Sequence, residues 1–467
     1  MQKGTIMKRF TIAEIAKIAG GKVLCGDGDY LVEGYAIDSR EVAPGEIFFA
    51  LKGLVTDGHR FIPQVLEKGC KNLVISDENM LPEGAMKDGN IVVVENPLKA
   101  LQALGVAYLD SLPLKKKIAV TGSVGKTSTR DMLYYVASTK YKTAKNKKNY
   151  NSSTGIPLTI LEFPEDTEVA ILEMGMEGLG EIEELVEIVR PDIGVITLVA
   201  EVHIEDLGSI ENILKAKMEI TSQFDKDSIL VVNTDCPMLA PEKVSGDYKL
   251  ISVGSKGLED YVVENVEDFG ADGIKFEMSC NDNKYEISLP IAGAHNAKNA
   301  SLAIAVGQLL GITPEEAAMG LQKTELTGRR LNMIRHKGMQ IIDDSYNACE
   351  DSIKSALNTL MATSGERKVA ILGDIFAVGE HAPRIHKSVG AYVGEKKIDL
   401  LVAIGDNAKY YAEEAQKVLG EEKVKYFDKK EDFIVTKDDI IKSGDVILVK
   451  ASLGMDLKKV TEAILEG

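Results

Sequence analysis

A small-residue turn at residues 117–133 constrains the fold of this chain more than any other feature. Residues 118–121 (Ile-Ala-Val-Thr) predict a short buried strand, residues 122–125 (Gly-Ser-Val-Gly) a tight turn, and Lys126 the start of a helix. A helix start presents free backbone N–H groups and a positive dipole end, which suit phosphate oxygens. Lys126 can reach the outer phosphates, and the Thr127 hydroxyl can bind Mg2+. We therefore predict a nucleoside triphosphate site.

The turn departs from the full phosphate-loop pattern at one position. That pattern has a glycine five residues before Gly125, where this chain has Val120. The alternative is an ordinary glycine-containing turn between a strand and a helix. The strand before the turn and the helix after it are the context that the pattern requires, so we favour phosphate binding.

Composition narrows the class of protein. The chain has 467 residues, and 55 Lys and Arg against 72 Asp and Glu give a net charge of −17, which argues against nucleic acid as a partner. No run of about 18 apolar residues is present, so we expect no membrane insertion. Five scattered cysteines without Cys-x-x-Cys spacing indicate reduced thiols and a cytoplasmic protein, not a disulfide framework or a zinc site. Thr11 and Glu14 predict a capping box close to a natural start at Met7.

Short apolar runs alternate with helical stretches throughout, which is typical of α/β proteins. Differences in texture predict domains at residues 1–96, 97–326 and 327–467. Polar or glycine residues follow the apolar runs of the third segment, and ligands of open α/β sheets bind at such strand ends. The predicted strands are residues 47–51, 73–76, 91–95, 118–120, 169–172, 193–198, 229–232, 340–342, 369–372, 400–404 and 446–449.

Three residues of the central segment are candidates for metal chemistry. Glu173 ends a predicted strand, where a carboxylate can take Mg2+ directly or through water. His203 follows another strand of the same segment, although a single histidine is more often simply packed or hydrogen-bonded. Lys217, in Ala-Lys-Met-Glu, reads by itself as a surface lysine on a helix.

Two further motifs look like parts of a site. In residues 293–299, His295, Asn296 and Asn299 occupy a turn and the first turn of a helix. Asn offers both a donor and an acceptor to a purine edge, although Asn296 could equally cap the helix. The Asp-Asp-Ser-Tyr-Asn-Ala sequence of residues 343–348 closes a strand, and a capped turn is a credible alternative for Asp343.

Two charged runs have simpler interpretations. The acidic run at residues 177–187 is interleaved with Ile182, Leu185 and later Val189, which predicts a helix with one solvated face. The basic run of Lys145, Lys147 and Lys148 is either an exposed loop or positive charge beside an anionic substrate.

Taken in order, these motifs resemble those of the Mur ligases over essentially the whole chain. That family uses the shorter Thr-Gly-x-x-Gly-Lys-Thr form, so Val120 is expected. Asp38-Ser-Arg40, Phe48-Phe-Ala-Leu-Lys-Gly53 and Asp57-Gly-His59 look like a uridine-nucleotide-binding domain. The resemblance implies three α/β domains: a small mixed N-terminal domain, a central P-loop ATPase-like parallel-sheet domain and a C-terminal Rossmann-like domain.

The resemblance also implies a reaction. The chain would be an ATP-dependent ligase that joins D-alanyl-D-alanine to UDP-N-acetylmuramoyl-tripeptide in peptidoglycan precursor synthesis. ATP would phosphorylate the tripeptide carboxylate, and the amine would attack the acyl phosphate. We expect small-molecule substrates, no nucleic acid partner and a monomer.

The resemblance carries over site residues by position. Lys126, His203 and Lys217 would be catalytic, and Lys217 matches a lysine that becomes carbamylated. Mg2+ would be bound by Thr127, Glu173, His203 and Lys217. ATP would be held by Gly122, Ser123, Val124, Gly125, Lys126, Thr127, Ser128, Asn296, Arg330, Asp344, Tyr346 and Asn347. The UDP-sugar would be held by Ser39, Arg40, Lys52, His59, Asn151, Ser152, Ser153 and Thr154.

Some positions depart from the family pattern. Thr197-Leu-Val-Ala200 replaces Thr-Asn-Ile-Gly, Asn151-Ser152 replaces Asn-Asn, and residues 372–379 read Leu-Gly-Asp-Ile-Phe-Ala-Val-Gly. Lys450-Ala-Ser-Leu453 replaces Lys-Gly-Ser-Arg and loses an arginine. Two alternatives therefore stay open: a paralogue that uses a different amine or carboxylate, and a non-catalytic Mur-like binding protein.

Overall fold

The computed structural model describes residues 9–53, 55–147 and 149–466. Met7 and Lys148 lie outside the described residues. The strands form three sheets, and each sheet with its helices is one α/β domain. Contacts divide the chain into two compact units: residues up to 119, 141–175 and 181–192 form the first, and the rest of the chain forms the second. The boundaries predicted near residues 96 and 326 stay a prediction.

The N-terminal sheet belongs to the first unit and has the strand order β1-β5-β4-β3-β2, in which only β1 is antiparallel to its neighbour. Its strands are β1 (Lys22–Cys25), β2 (Gly34–Ala36), β3 (Glu46–Phe49), β4 (Asn72–Ile75) and β5 (Asn90–Val93). Its helices are α1 (Ile12–Ile18), α2 (Ile62–Glu67) and α3 (Ala85–Asp88). The predicted capping box is confirmed, since Thr11 and Glu14 exchange hydrogen bonds at the start of α1.

The first unit also contains part of the central domain. Its elements are α4 (Pro97–Ser111), residues 116–119 of β6 (Lys116–Thr121), β7 (Thr143–Lys145), α6 (Gly155–Leu161), β8 (Val169–Glu173) and α7 (Glu181–Val189). Helix α4 contacts α6 closely, because a side chain at Gly105 would meet Pro157 at 2.9 Å. The amphipathic acidic helix predicted from residues 177–187 is confirmed from Glu181 onward as α7, whose apolar residues are buried, whereas residues 177–180 precede the helix.

The second unit holds the remainder of the central domain. Its strands run β9-β10-β11-β12-β13-β14 across the sheet, parallel through β12 and antiparallel from β12 to β14. The strands are β9 (Ile193–Ile196), β10 (Ile229–Asn233), β11 (Lys249–Gly254), β12 (Tyr261–Asp268), β13 (Ile274–Cys280) and β14 (Asn283–Leu289). The helices are α5 (Lys126–Ala137), α8 (Ile204–Leu207), α9 (Ile210–Met218), α10 (Pro241–Val244), α11 (Asn296–Leu309) and α12 (Pro314–Leu321).

The C-terminal sheet also lies in the second unit and has the order β15-β16-β20-β17-β18-β19, in which only β15 is antiparallel. Apolar clusters cover both faces, as expected for a parallel sheet between helices. The strands are β15 (Asn332–His336), β16 (Met339–Asp343), β17 (Arg367–Gly373), β18 (Leu400–Ile404), β19 (Val424–Phe427) and β20 (Asp445–Lys450). The helices are α13 (Glu350–Ala362), α14 (Ala382–Glu395), α15 (Lys409–Leu419), α16 (Lys430–Ile440) and α17 (Lys458–Glu466).

Every strand predicted from an apolar run is present, with ends that differ by at most two residues. The central sheet is mixed, because β12, β13 and β14 add an antiparallel extension that the apolar runs did not indicate. Within the described ranges, none of the helices combines the length and the apolar character that a membrane span requires.

Candidate active site

The turn at residues 122–125 has a backbone that requires glycine at two positions. Gly122 has a φ of 144° and Gly125 a φ of 89°. A Cβ atom at Gly125 would lie 2.8 Å from Asn299 Oδ1. The turn is fixed to the chain after β9, because Ser123 N donates to Leu198 O at 2.6 Å and Thr197 Oγ1 donates to Val124 O at 2.6 Å. The predicted phosphate loop is therefore a rigid turn at the start of α5.

The two chemical groups at the start of α5 both have protein partners. Lys126 Nζ donates to Gly122 O at 2.6 Å, so the ammonium group lies over the turn itself. The buried Thr127 accepts a hydrogen bond of 2.8 Å from Arg330 Nη2. The Arg330 guanidinium stacks 4.3 Å from the centre of the Tyr346 ring. Arg330 thus contacts the start of α5, and its role in holding a nucleotide stays a prediction.

A cavity of about 510 Å3 lies in the second unit beside this turn. It brings together most of the residues predicted to hold a nucleotide. These are Ser123, Val124, Gly125, Lys126, Thr127, Ser128, Asn296, Arg330, Asp344 and Asn347. Tyr346 contacts this set of residues through Arg330, whose guanidinium stacks on its ring. The volume is within the range of small-molecule and cofactor sites.

The start of α11 forms another wall through three polar side chains. Asn296 is fully buried and donates from Nδ2 to Ala292 O at 2.8 Å, so its side chain does not cap the helix. Asn299 Nδ2 donates to Asn296 Oδ1 at 2.9 Å. His295 Nδ1 lies 2.6 Å from Ser355 Oγ on α13, and burial lowers the pKa of His295.

The two aspartates at the end of β16 differ in role. Asp343 accepts hydrogen bonds from Ser345 N and Oγ at 3.1 and 2.5 Å, which supports the capped-turn interpretation. Asp344 faces the cavity, where its Oδ2 pairs with Lys450 Nζ at 2.5 Å. Its Oδ1 accepts a hydrogen bond from Leu331 N at 3.2 Å.

Two residues predicted as metal ligands precede or belong to helices of the second unit. His203 comes directly before α8 in a left-handed conformation with a φ of 58°. Burial, and then the charge of Lys126, lower the pKa of His203. Lys217 on α9 is 4% exposed, so its interpretation as a surface lysine is wrong. Burial, and then the charge of Lys126, hold its pKa well below the usual lysine value.

Glu173, the fourth predicted metal ligand, lies in the first unit at the end of β8. Its side chain is buried, and its Oε1 accepts a hydrogen bond of 2.9 Å from Asn151 Nδ2. Asn146 holds the backbone of Glu173 through bonds to its N and O atoms at 3.0 Å. In the described part of the chain no three His, Cys, Asp or Glu side chains cluster as metal ligands, and the predicted set contains only two residues of these types.

The residues predicted to hold the UDP-sugar all lie in the first unit. Ser39 Oγ donates to Gln64 Oε1 at 3.0 Å, and the exposed Lys52 forms an isolated bridge with Asp57. The Arg40 guanidinium donates to Asp38 at 2.7 Å, and this bond lowers the pKa of Asp38 to about 2.

His59 differs from these residues because it is buried and both of its ring nitrogens are bonded. Nε2 accepts from Ser76 N at 2.9 Å, so Nδ1 carries the proton and donates to Asp57 Oδ1 at 2.6 Å. The side chain holds the N-terminal domain together, and its role in substrate binding stays a prediction.

The loop before α6 contains the remaining predicted residues. Ser152 Oγ lies 3.1 Å from Thr154 Oγ1 and accepts from Gly155 N at 3.3 Å. Ser153 O accepts from Gln102 Nε2 at 3.3 Å. These bonds shape the first turn of α6 and leave the assignment to the UDP-sugar untested.

Several residues at the cavity were not predicted as site residues. Lys298 on α11 pairs with Asp235 after β10 at 2.8 Å. Lys450 was noted only as the residue after an apolar run and in the Lys-Ala-Ser-Leu sequence, and its pairing with Asp344 was not predicted. No local motif marks these contacts, because the partners lie far apart in the chain.

Comparisons with known families agree with this geometry. Residues 31–110 match the family described as the Mur ligase catalytic domain, residues 120–307 the Mur ligase middle domain, and residues 329–453 the Mur ligase glutamate ligase domain. The chain is 36% identical to the UDP-N-acetylmuramoyl-tripeptide–D-alanyl-D-alanine ligase of Bacillus subtilis over 98% of this chain and 99% of that protein.

Solved structures are similar over nearly the full length. A crystal structure of MurF from Acinetobacter baumannii has a TM-score of 0.87 at 26% identity and covers 99% of this chain and 100% of that one. The MurF ligase of Thermotoga maritima, solved in complex with ADP, has a TM-score of 0.80 at 26% identity and covers 93% of this chain and 97% of that one.

Proposed function

Because the chain belongs to the Mur ligase family, we propose that it is the ATP-dependent ligase that joins D-alanyl-D-alanine to UDP-N-acetylmuramoyl-tripeptide. A carboxylate is a poor electrophile, so the reaction begins with phosphorylation of the tripeptide carboxylate by ATP. The amine of the dipeptide then attacks the acyl phosphate, and the tetrahedral intermediate collapses to an amide and inorganic phosphate. The products are the pentapeptide precursor of peptidoglycan, ADP and phosphate.

The cavity in the second unit is the observation that carries this proposal. It joins a phosphate loop, two asparagines of α11 and an arginine from the C-terminal domain in one site. Binding of ATP there places the phosphates at the start of α5, where backbone N–H groups and the helix dipole favour negative charge. Lys126 exchanges its bonds to the turn for bonds to the outer phosphates, and Arg330 adds a second cation. These charges stabilise the transferring phosphoryl group.

The Thr127 hydroxyl supplies one hard oxygen ligand of the kind that Mg2+ prefers, at the position where it now accepts a hydrogen bond from Arg330. Mg2+ held there would offset the charge of the phosphates when two anions meet. Glu173 and His203 stay predicted ligands.

Lys217 supports the prediction of a carbamylated lysine. Its amine is buried, and its lowered pKa favours the neutral form, which is the form that reacts with CO2. We expect 13C-labelled bicarbonate to give a carbamate signal by NMR that Lys217→Gln abolishes. The control Lys215→Gln, at an exposed position of the same helix, leaves the signal intact.

A coupled phosphate-release assay tests the proposed function. We expect release only when ATP, the UDP-linked tripeptide and D-alanyl-D-alanine are all present. Lys126→Ala abolishes it, whereas Lys22→Ala, at an exposed ion pair with Glu78, leaves it unchanged. Release of phosphate when both the UDP-linked tripeptide and D-alanyl-D-alanine are absent contradicts the proposal.

The identity of the amine has its own test. Leu198 lines the cavity, and Leu453 is half-exposed after β20, at positions where the family pattern has other residues. A panel of dipeptides and amino acids scored by product mass separates the proposed ligase from a paralogue with another amine.

We infer that the ligase works in the cytoplasm as a monomer. All five cysteines are free thiols, which suits a reducing compartment. Sedimentation analysis with and without substrates tests the oligomeric state.

A further inference from the structure

Residues 322–331 lead from α12 into the C-terminal sheet. Two carboxylates hold the last five residues of this segment, one at residue 327 and one at residue 331. Thr327 N donates to Asp131 Oδ2 at 2.6 Å, and Leu331 N donates to Asp344 Oδ1 at 3.2 Å. Arg330 lies between these two bonds. Its position is therefore set by two fixed points of the backbone as well as by its own side chain.

The carboxylate of Asp131 is itself held by the neighbouring guanidinium of Arg130. Arg130 and Asp131 are both fully buried, and Arg130 donates to Asp131 Oδ1 from Nε at 3.0 Å and from Nη2 at 2.7 Å. A buried charge is costly unless it is paired and hydrogen-bonded, so this pair holds its geometry. The other oxygen of Asp131 is directed at the backbone of Thr327.

The contact with Thr327 and the contact of Arg330 belong to one helix. Thr127 and Asp131 are four residues apart on α5, on the same face and about 6 Å apart along the axis. Arg330 follows Thr327 by three residues and donates to Thr127 at 2.8 Å. The phosphate-loop helix thus binds the segment at two successive points on one face.

The backbone of residues 328–331 is bent in a way that needs outside support. Gly328 has a φ of 83°, and Leu331 adopts a left-handed φ of 49° that a bulky side chain disfavours. Such a conformation persists only where surrounding contacts determine it. The bonds from Asp131 and Asp344 are these contacts.

We propose that Asp131 is a positioning residue that, through the backbone amide of Thr327, sets the reach of Arg330 into the phosphate site. This inference rests on the proposed function, because it is the transferring phosphoryl group that Arg330 serves. Asp131 itself touches no substrate. Loss of its carboxylate frees residues 327–330 and lets the Arg330 guanidinium leave the phosphate-loop helix.

A double-mutant cycle on kcat tests the inference. We expect Asp131→Asn to lower kcat about tenfold with little change in the KM for ATP, since a misplaced cation mainly affects the transition state. In an Arg330→Ala background the same change has less than about a twofold effect, because the residue it positions is gone. An equal loss in both backgrounds, or an unchanged kcat in wild-type background, overturns the inference.

Two further variants separate positioning from stability. Asp445→Asn removes the buried partner of another ion pair, with the half-buried Arg367, at 2.6 Å. It lowers the melting temperature but leaves kcat within about twofold of wild type. If Asp131→Asn does not fold, Arg130→Met/Asp131→Leu removes both charges and takes its place in the cycle. Wild-type protein without substrate-dependent phosphate release overturns the proposed function and this inference together, whereas an active wild type with an additive cycle overturns the inference alone.

Discussion

Single residues decide the shape of the phosphate loop. Gly125 combines a left-handed φ of 89° with a close approach to Asn299, so an added methyl group has both a strained backbone and a contact of 2.8 Å. Gly180 has a similar φ of 84° but nothing within 4 Å of the added carbon. The two positions separate backbone strain from the contact.

We expect Gly125→Ala to abolish ATP binding, measured by titration calorimetry, because the turn and the start of α11 must move apart. Gly180→Ala has only the backbone cost of about 1–2 kcal/mol, visible in urea unfolding, and binds ATP normally. Equal ATP affinity of wild type and Gly125→Ala contradicts the assigned loop geometry.

A second residue-scale prediction concerns pH. The buried His386 accepts from Ile375 N at 3.2 Å through Nε2 and donates from Nδ1 to Ala382 O at 2.7 Å, and burial lowers its pKa to about 4. The unfolded chain binds this proton more readily than the folded one. The free energy of unfolding is therefore unaffected by His386 above about pH 6.5. It falls by about 3 kcal/mol as the pH falls towards 4. His386→Gln, which does not titrate, reduces the slope of this part of the urea-unfolding profile, to which His203 and His295 also contribute, and an unchanged slope contradicts the assignment.

The sequence alone was enough to predict the candidate site residues that lie in local motifs. Lys126, Asn296, Arg330 and Asp344 lie in short patterns at strand or helix ends, and the structure places all of them at one cavity. Ser355 could not be found this way, because it reaches His295 from 60 residues away.

At the scale of elements, the carboxyl ends of β16 and β20 are joined by an ion pair between a buried lysine and a partly buried aspartate. Asp344 and Lys450 meet at 2.5 Å, with side chains 13% and 3% exposed. Lys450 also donates to Asn347 O at 2.9 Å and so holds the loop after β16.

We expect Lys450→Met to destabilise the protein by about 2 kcal/mol in urea unfolding, because it leaves the partly buried carboxylate of Asp344 without its cation. Asp344→Leu in the same chain recovers part of that loss while it releases Leu331 N. The control is Lys458→Met, which removes an exposed ion pair with Glu462. If Lys450→Met lowers the free energy of unfolding less than this control does, the prediction is contradicted.

The same scale shows why some strands were missed. Central strands such as β8, β9 and β20 are buried throughout and stand out as apolar runs. By contrast, β13 and β14 alternate between buried and exposed residues and carry charged side chains. An alternating strand is stabilised by its neighbours in the sheet and has few apolar residues of its own, so a search for apolar runs passes over it.

At the scale of the whole molecule, the two predicted binding sites fall in different units. The residues proposed to hold the UDP-sugar are in the first unit, in the N-terminal domain and the loop at residues 151–154. The residues proposed to hold ATP are in the second unit. Each unit has its own core, so each ligand stabilises the unit that binds it.

Hydrogen exchange with one ligand at a time tests this division. We propose that ATP binds the native second unit, so local unfolding that exposes the ATP site becomes rarer when ATP is bound. The reduction equals the ratio of ATP concentration to Kd, which is about 100-fold at 100 times Kd. We therefore expect ATP to slow exchange at residues 122–130, 295–300 and 327–331, and the UDP-linked tripeptide to slow exchange at residues 39–52 and 151–155. Lys126→Ala removes the first pattern and keeps the second, because its substitution lies in the second unit alone. Protection of residues 39–52 by ATP without tripeptide contradicts the assignment, since local openings of the first unit do not release ATP.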